Sequence, residues 1–287
     1  MAVSMSEHFT YRKLLRFVLP SVAMMIVTSI YSIVDGFFVS NFVGKNAFAA
    51  VNLVFPALMA PGAFGFMIGT GGSALVSYTL GEGKHERANA IFSMLVELVV
   101  IVGLLLALLG FIFMPQITRL IGASPLVFDD CVVYGRILLL SLPFFLLQNT
   151  FQSFLVAAER SHMGFVISVA AGLLNMVLDY VLVAVLHGGI VAAAVATAVS
   201  QLLGGIIPFV FFARKNKSLL RFRLVKPEVK PIVKACANGS SEMLTNLSAS
   251  LVGILYNVQL MKYAAENGVA AYGVVMYVSF IFNAIFF

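Results

Sequence analysis

Charged residues are scarce in this sequence. Asp, Glu, Lys and Arg make up 10% of its 287 residues, whereas hydrophobic residues make up 61%. Soluble domains carry about 25% charged residues, so the composition excludes a water-soluble globular protein. The two cysteines, Cys131 and Cys236, lie far apart in the chain, which excludes a disulfide framework and the thiol spacing of a metal site. The net charge of +6 comes without a nucleic-acid-binding motif, and we expect no nucleic-acid partner.

Long apolar runs make up most of the sequence. We distinguish eight, at about 14–43, 47–80, 88–114, 127–158, 162–186, 190–213, 231–262 and 269 to the last residue. About twenty apolar residues cross the ~30 Å hydrocarbon core of a bilayer. Because lipid offers no hydrogen bonds to the backbone, spans of this length must be helices. The sequence therefore predicts an all-α, polytopic helix bundle embedded in the lipid bilayer.

Basic residues are distributed unevenly between the two sides of this predicted bundle. The connections on one side carry fourteen lysines and arginines, and those on the other side carry three, Lys45, Arg119 and Lys262. Cytoplasmic connections are the ones that collect Lys and Arg. We therefore expect a multi-pass protein of the plasma membrane with its N-terminus in the cytoplasm.

The most polar connection, residues 214–230, divides the chain into two parts. The stretch Asn-Ala-Phe-Ala-Ala at 46–50 has a counterpart, Asn-Gly-Val-Ala-Ala, at 267–271. A duplicated bundle is a common transporter plan. We therefore expect a complete six-helix N-terminal lobe at 1–213, a basic cytoplasmic linker at 214–230, and the first two helices of a second lobe at 231–287. Because the last run stops inside an apolar helix, we also expect a C-terminally truncated chain.

Glycine and proline are concentrated in the second apolar run. Pro56, Pro61 and five glycines between Gly62 and Gly72 predict interruptions of this helix. Within it, Gly65 and Gly69 form a face of small residues suited to close helix packing.

Two acids lie at the same predicted depth in the membrane. Asp35 and Asp179 are each about eight residues from the outer end of their runs, and Thr197 is about seven residues from the outer end of its own. At 1.5 Å per residue, all three lie roughly 11–12 Å below the outer surface. Asn175 lies one turn from Asp179 on the same helical face.

The chemistry of these four residues indicates a cation or proton site. An ionised carboxylate inside a bilayer costs at least ~2.5–3.5 kcal/mol, so such a residue faces the bundle interior and has a partner or a task. Two carboxylates, an amide and a hydroxyl suit a proton or an alkali cation far better than a transition metal. We therefore expect no cofactor, and no metal other than Na⁺ at Asp35, Asn175, Asp179 and Thr197.

Other embedded polar residues leave two interpretations open. Each either lines a cavity or makes a hydrogen bond between helices. Glu97 and Glu242 lie at depths different from that of Asp35. The candidates for a cavity lining are Tyr31, Gln148, Asn149, Gln152 and Glu242.

Several of these residues belong to a recognisable pattern. Pro20 precedes Asp35 by fifteen residues, a charged turn runs from Gly81 to Ala88, and Asn175-x-x-x-Asp179 is followed by Thr197. With this pattern the chain resembles the multidrug and toxic compound extrusion (MATE) family of secondary transporters. The resemblance implies two six-helix lobes around a central cavity. It further implies export of cationic or amphipathic organic compounds in exchange for Na⁺ or H⁺, with small organic cations as substrates.

The resemblance also assigns roles to residues. It places the cation site at Asp35, Asn175, Asp179 and Thr197, and it implies a hinge in the first helix near Pro20 when Asp35 changes state. We expect the protein to be a monomer.

Three other classes of protein remain as alternatives. A lipid-linked oligosaccharide flippase of related architecture would prefer a strongly cationic cavity, whereas Arg136 is the main embedded basic residue here. An ATP-driven permease subunit would need a separate ATPase, because the chain has no P-loop. An intramembrane enzyme would need a metal or nucleophile motif, and only Asp129-Asp130 comes near one, so we expect no enzymatic activity.

Overall fold

The computed structural model describes Tyr11, Leu19, Ile26 and residues 30–214 and 218–286. The helices are α1 (Ile30–Val43), α2 (Lys45–Gly81), α3 (His85–Leu120), α4 (Phe128–Ala157), α5 (Ser161–Val185) and α6 (Gly189–Ala213). A last helical segment, Val229–Phe286, breaks at Ala265, where φ is 50° and ψ is −149°. We call its two parts α7 (229–264) and α8 (266–286). Across the described residues there are helices and no strand, which confirms the predicted class.

The helices α2 to α6 are long and apolar enough to cross a membrane. One side of α3 presents a row of leucines that are each more than half exposed, namely Leu104, Leu105, Leu108 and Leu109. A row of exposed leucines is expected where lipid, not water, surrounds a helix. The count of eight spans and the division into two lobes stay predictions.

The predicted interruption of α2 is wrong. The helix is continuous from Lys45 to Gly81 with Pro56 and Pro61 inside it. Proline removes one backbone hydrogen bond, but neighbouring helices and local adjustments make it tolerable in a helix that lies in a membrane. The predicted hinge at Pro20 lies outside the described residues.

Glycines on α2 instead let other helices approach it closely. A Cβ on Gly65 would lie 2.8 Å from the carbonyl oxygen of Leu146 in α4, and one on Gly69 would lie 3.2 Å from that of Asn149. Thr150 Oγ1 donates a hydrogen bond of 3.1 Å to the Gly65 carbonyl. The expected close packing at Gly65 and Gly69 is therefore present, and α4 is the partner helix.

The helix α7 crosses α2 at a second pair of glycines. A Cβ on Gly71 would collide with Ala235 O and Gly239 N of α7, and a Cβ on Gly239 would collide with Met67 O of α2. No residue larger than glycine fits at this crossing without moving one backbone. The contact holds α7 along the length of α2.

Residues 218–228, which we call the strap, precede α7 without regular secondary structure and lie against α3. Backbone amides of the strap donate hydrogen bonds to α3 side chains: Arg221 N to Asn89 Oδ1 at 2.7 Å and Arg223 N to Ser93 Oγ at 2.9 Å. At the end of the strap, the two terminal guanidinium nitrogens of Arg87, Nη1 and Nη2, donate hydrogen bonds to the Glu228 carboxylate at 2.6 and 2.7 Å. Within the predicted linker, the strap is therefore attached to α3.

The ion pair between Arg87 and Glu228 should stabilise the attached strap in a pH-dependent way. Hydrogen bonds from Arg87 hold the pKa of Glu228 below its ordinary value. A depressed carboxyl pKa contributes stability above the unfolded-state pKa, and this contribution is lost as the pH falls through the folded-state value. We expect Arg87→Gln to lower the Tm of the detergent-purified protein slightly at neutral pH, and the difference from wild type to vanish in acid. Lys226→Gln, which removes an exposed charge from the same segment, is the control. Equal Tm values for Arg87→Gln and wild type at neutral pH would contradict a stabilising pair.

Candidate functional site: an embedded acid pair

Both helices that carry the predicted acids depart from α-helical geometry beside them. Residues Val39–Val43 of α1 and Asp179–Val185 of α5 are π-helical. Phe38 and Tyr180 meet edge to face across the two helices, with ring centroids 6.4 Å apart. Short π-helical segments occur frequently at functional sites, because they turn side chains out of their regular register.

The structure brings Asp35 and Asp179 together, and we call these two residues the acid pair. Their carboxyl groups lie within hydrogen-bonding range of each other. Asp179 is fully buried, and Asp35 is partly buried. Asp35 Oδ1 and both carboxylate oxygens of Asp179 are buried without a hydrogen-bond donor. Two facing carboxylates both accept hydrogen bonds, so neither satisfies the other unless a proton or a cation lies between them.

Neutral oxygen atoms surround this pair. Asn175 is 1% exposed, and its Oδ1 has no hydrogen-bond partner. Thr197 Oγ1, from α6, is buried and lacks a hydrogen bond of good geometry, although it lies near the hydroxyl of Tyr134. Tyr134, from α4, is 3% exposed and lies close enough to both acids for their charges to act on it. The helices α4, α5 and α6 thus contribute buried polar oxygens, of which Asn175 Oδ1 and Thr197 Oγ1 lack a hydrogen-bond partner.

Two tyrosines of this region, Tyr134 and Tyr277, were not predicted as site residues. Tyr277 belongs to α8, and its ring lies over Gly36, the residue that follows Asp35. Both tyrosines could have been found by the same depth comparison that paired the acids. Tyr277, for example, is eight residues from the start of the eighth apolar run.

The other predicted residues lie apart from the acid pair, with one exception. The ring of Tyr31 packs on Gly172 of α5 and lies within the electrostatic reach of Asp35. Gln148 packs on Gly204 of α6, and with Gln152 it borders a small cleft beside Pro208.

Two further candidates lie elsewhere in the bundle. Asn149 is buried on α4, and its Nδ2 has no hydrogen-bond partner. Glu242 accepts a hydrogen bond of 3.2 Å from Asn246 within α7. A role for either residue in lining a cavity stays a prediction.

An apolar cavity of the described structure lies away from the acids. It has a volume of about 250 Å³, lies between α2, α3 and α4, and is lined by apolar residues such as Pro61, Phe113 and Leu139. Such a lining offers nothing to a cation. We therefore place the candidate site at the acid pair.

The charges around the pair favour a positive ligand. Within the part of the chain that the structure describes, the groups that act on the two carboxyls include no lysine, arginine or histidine. The described residues also contain no group of three or more His, Cys, Asp or Glu side chains that could hold a metal ion. Two acids with amide and hydroxyl oxygens suit a proton or Na⁺.

Comparisons with known proteins give the family. A family model described as MatE matches residues 20–181, more than half of the chain. The chain belongs to the MatE family. This confirms the resemblance drawn from the acid pattern, and with the apolar helices it makes the protein a multi-pass membrane protein.

Relatives of this MatE chain carry names that concern drug export. It is 25% identical over 269 residues to the multidrug export protein MepA of Staphylococcus haemolyticus, covering 93% of this chain and 59% of that one. It is 28% identical over 279 residues to the probable multidrug resistance protein YoeA of Bacillus subtilis, covering 94% and 60%. The chain therefore spans about 60% of the length of these relatives.

Solved structures share the fold. A structure of the MATE multidrug transporter DinF-BH superposes with a TM-score of 0.89 at 24% identity, covering 99% of this chain and 66% of that one. An inward-facing MATE family transporter superposes with a TM-score of 0.82 at 23% identity, covering 90% and 60%.

Removing one charge of the acid pair should stabilise the protein when no cation is bound. An unsatisfied buried charged group costs on the order of 1–3 kcal/mol or more. We expect Asp179→Asn to raise the Tm in sodium-free alkaline buffer, and to abolish any rise in Tm that Na⁺ or acid produces in the wild type. Glu86→Gln, which alters an exposed acid in the first turn of α3, serves as the control. A lower Tm for Asp179→Asn in this buffer would show that the two carboxylates do not repel each other.

Proposed function

We propose that the protein carrying this chain is a secondary active efflux transporter that exchanges cationic or amphipathic organic compounds for Na⁺ or H⁺. The observation that carries the proposal is the buried acid pair with three unsatisfied carboxylate oxygens. A site of this kind is stable only with a positive ligand, so its occupancy follows the ion gradient across the membrane. The names of the relatives, which concern multidrug export, support the choice of substrate class.

The coupling follows from differential affinity. A cation at the acid pair favours the conformations in which α1 and α5 hold their carboxyls together, and an empty pair favours those in which the carboxyls separate. A ligand shifts a conformational equilibrium by its difference in affinity for the two states. The organic substrate favours the other state, so the downhill movement of the ion drives export. The π-helical segments beside both acids are where α1 and α5 would deform.

The flippase alternative is weaker on one specific observation. Arg136, the main embedded cation, donates from Nε to the carbonyl oxygen of Phe111 at 3.3 Å. Its guanidinium also lies 5.1 Å from the centroid of the Phe111 ring. These contacts hold the charge on the neighbouring helix α3. The Arg136 guanidinium is therefore less suited to bind a lipid phosphate in a central cavity.

Loss of either acid should abolish transport without loss of the fold. We expect Asp35→Asn in the full-length protein to insert normally into proteoliposomes but to give no gradient-driven efflux of a fluorescent organic cation, because one charge of the ion site is gone. Asp130→Asn, an acid at the start of α4, is the matched control and should transport as wild type does. Undiminished efflux by Asp35→Asn would refute the assignment.

The coupling ion is identified by collapsing one gradient at a time. In the same proteoliposomes, an ionophore that dissipates only the proton gradient should stop efflux if H⁺ is the coupling ion. An ionophore that dissipates only the Na⁺ gradient should stop efflux if Na⁺ is the coupling ion. Efflux that survives the loss of both gradients but requires ATP and a second protein would instead indicate an ATP-driven permease.

A further inference from the structure

The residue after Asp35 has no side chain, and a ring from α8 occupies the space. An ideal Cβ on Gly36 would lie 2.6 Å from Cε2, 2.7 Å from Cζ and 2.8 Å from the hydroxyl oxygen of Tyr277. Real Cβ atoms do not approach other heavy atoms this closely. The Tyr277 ring therefore fits only because position 36 is glycine, and it brings its hydroxyl into the electrostatic reach of Asp35.

Two further contacts fix α8 in this register. The rings of Tyr277 and Phe48, the latter in α2, lie with centroids 6.0 Å apart. One turn before Tyr277, Gly273 leaves room for the amide of Asn52, whose Nδ2 would lie 2.6 Å from a Cβ at 273. Asn52 in turn accepts a hydrogen bond of 2.9 Å on its backbone oxygen from Asn257 of α7. Tyr277 is thus placed beside the acid pair by a continuous interface between α2 and the α7–α8 hairpin.

The other residues described near the acid pair belong to its own bundle. Tyr134 comes from α4, Thr197 from α6, and Tyr31 lies on α1 itself. Of the residues described around the pair, Tyr277 is the one that belongs to the segment after the strap. A movement of α8 away from α1 would therefore uncover the pair without breaking the bundle that holds it.

We infer that Tyr277 is a positioning residue of the ion site, whose ring closes the Asp35–Asp179 pair until α8 withdraws from α1. The inference builds on the proposed function and assigns to α8 the access to its ion site. Excluding water lowers the local dielectric, which strengthens the interaction of the two acids with each other and with a bound cation. Uncovering the pair by moving α8 would weaken both, so ion exchange and the position of α8 are linked.

The test is the rate at which dicyclohexylcarbodiimide, an apolar reagent for buried carboxylic acids, labels Asp35 and Asp179 in the full-length protein. Labelled peptides are quantified by mass spectrometry. We expect Tyr277→Ala to increase the rate several-fold, because the ring no longer covers the pair. Gly36→Ala, which displaces the ring while leaving Tyr277 in place, should increase it as well. Tyr277→Phe, which keeps the ring, should label at the wild-type rate.

The matched control is Tyr272→Ala. Tyr272 lies on the same helix but stacks on Tyr256, with centroids 5.5 Å apart, and should not affect the labelling. Each variant is labelled at the same number of degrees below its own Tm. A general loosening of the fold would be recognised by increased labelling of Glu97. Wild-type labelling rates in both Tyr277→Ala and Gly36→Ala would overturn the inference, as would an equal increase in Tyr272→Ala.

The labelling experiment does not depend on transport activity. If efflux proves not to depend on an ion gradient, the proposed function fails while the labelling still reports whether Tyr277 covers the acids. If efflux is coupled and labelling does not respond to Tyr277, the proposed function stands and the role of α8 fails.

Discussion

Repulsion between two carboxylates is the constraint around which the described part of this protein is arranged. Two unit charges 4 Å apart repel each other by about 4 kcal/mol at an effective dielectric constant of 20. That exceeds the 1.5–3 kcal/mol or so that a hydrogen bond to a charged group contributes. Nearby hydroxyls therefore could not hold Asp35 and Asp179 together if both were ionised and empty. One positive charge, as a proton or as a cation, is what makes the arrangement stable.

The surrounding structure brings the acids close and keeps compensating charge away. Helices α1 and α5 meet at π-helical segments, and Tyr134 and Thr197 complete the enclosure from α4 and α6. Small residues make this compactness possible: Gly65 and Gly69 admit α4, and Gly71 admits α7. Under the proposed function, the pair depends on an ion from outside the protein, which is the condition for coupling to an ion gradient.

Sequence reasoning could pair Asp35 with Asp179 for a simple geometric reason. Each residue advances a helix by 1.5 Å, so distance from a helix end converts to depth in the membrane. The same argument would have found Tyr277 and Tyr134, had tyrosine been treated as a polar group. It could not have found the π-helical segments, whose residue types also occur in ordinary α-helices. Nor could it have found the strap, whose backbone amides donate hydrogen bonds to Asn89 and Ser93 from far along the chain. The interruption predicted from the prolines of α2 was wrong, because the helix propensity of proline takes no account of the stabilisation that neighbouring helices provide.

The central claim is that the acid pair holds a single shared positive charge. Infrared spectroscopy of the protein in sodium-free buffer near neutral pH tests it most directly, since a protonated carboxyl group in a dry environment has a separate C=O stretching band. We predict one such band that is lost in Asp35→Asn and in Asp179→Asn, and that is replaced by carboxylate bands at alkaline pH or on cation binding. A spectrum without this band in sodium-free buffer, or one that both variants leave unchanged, would contradict the account.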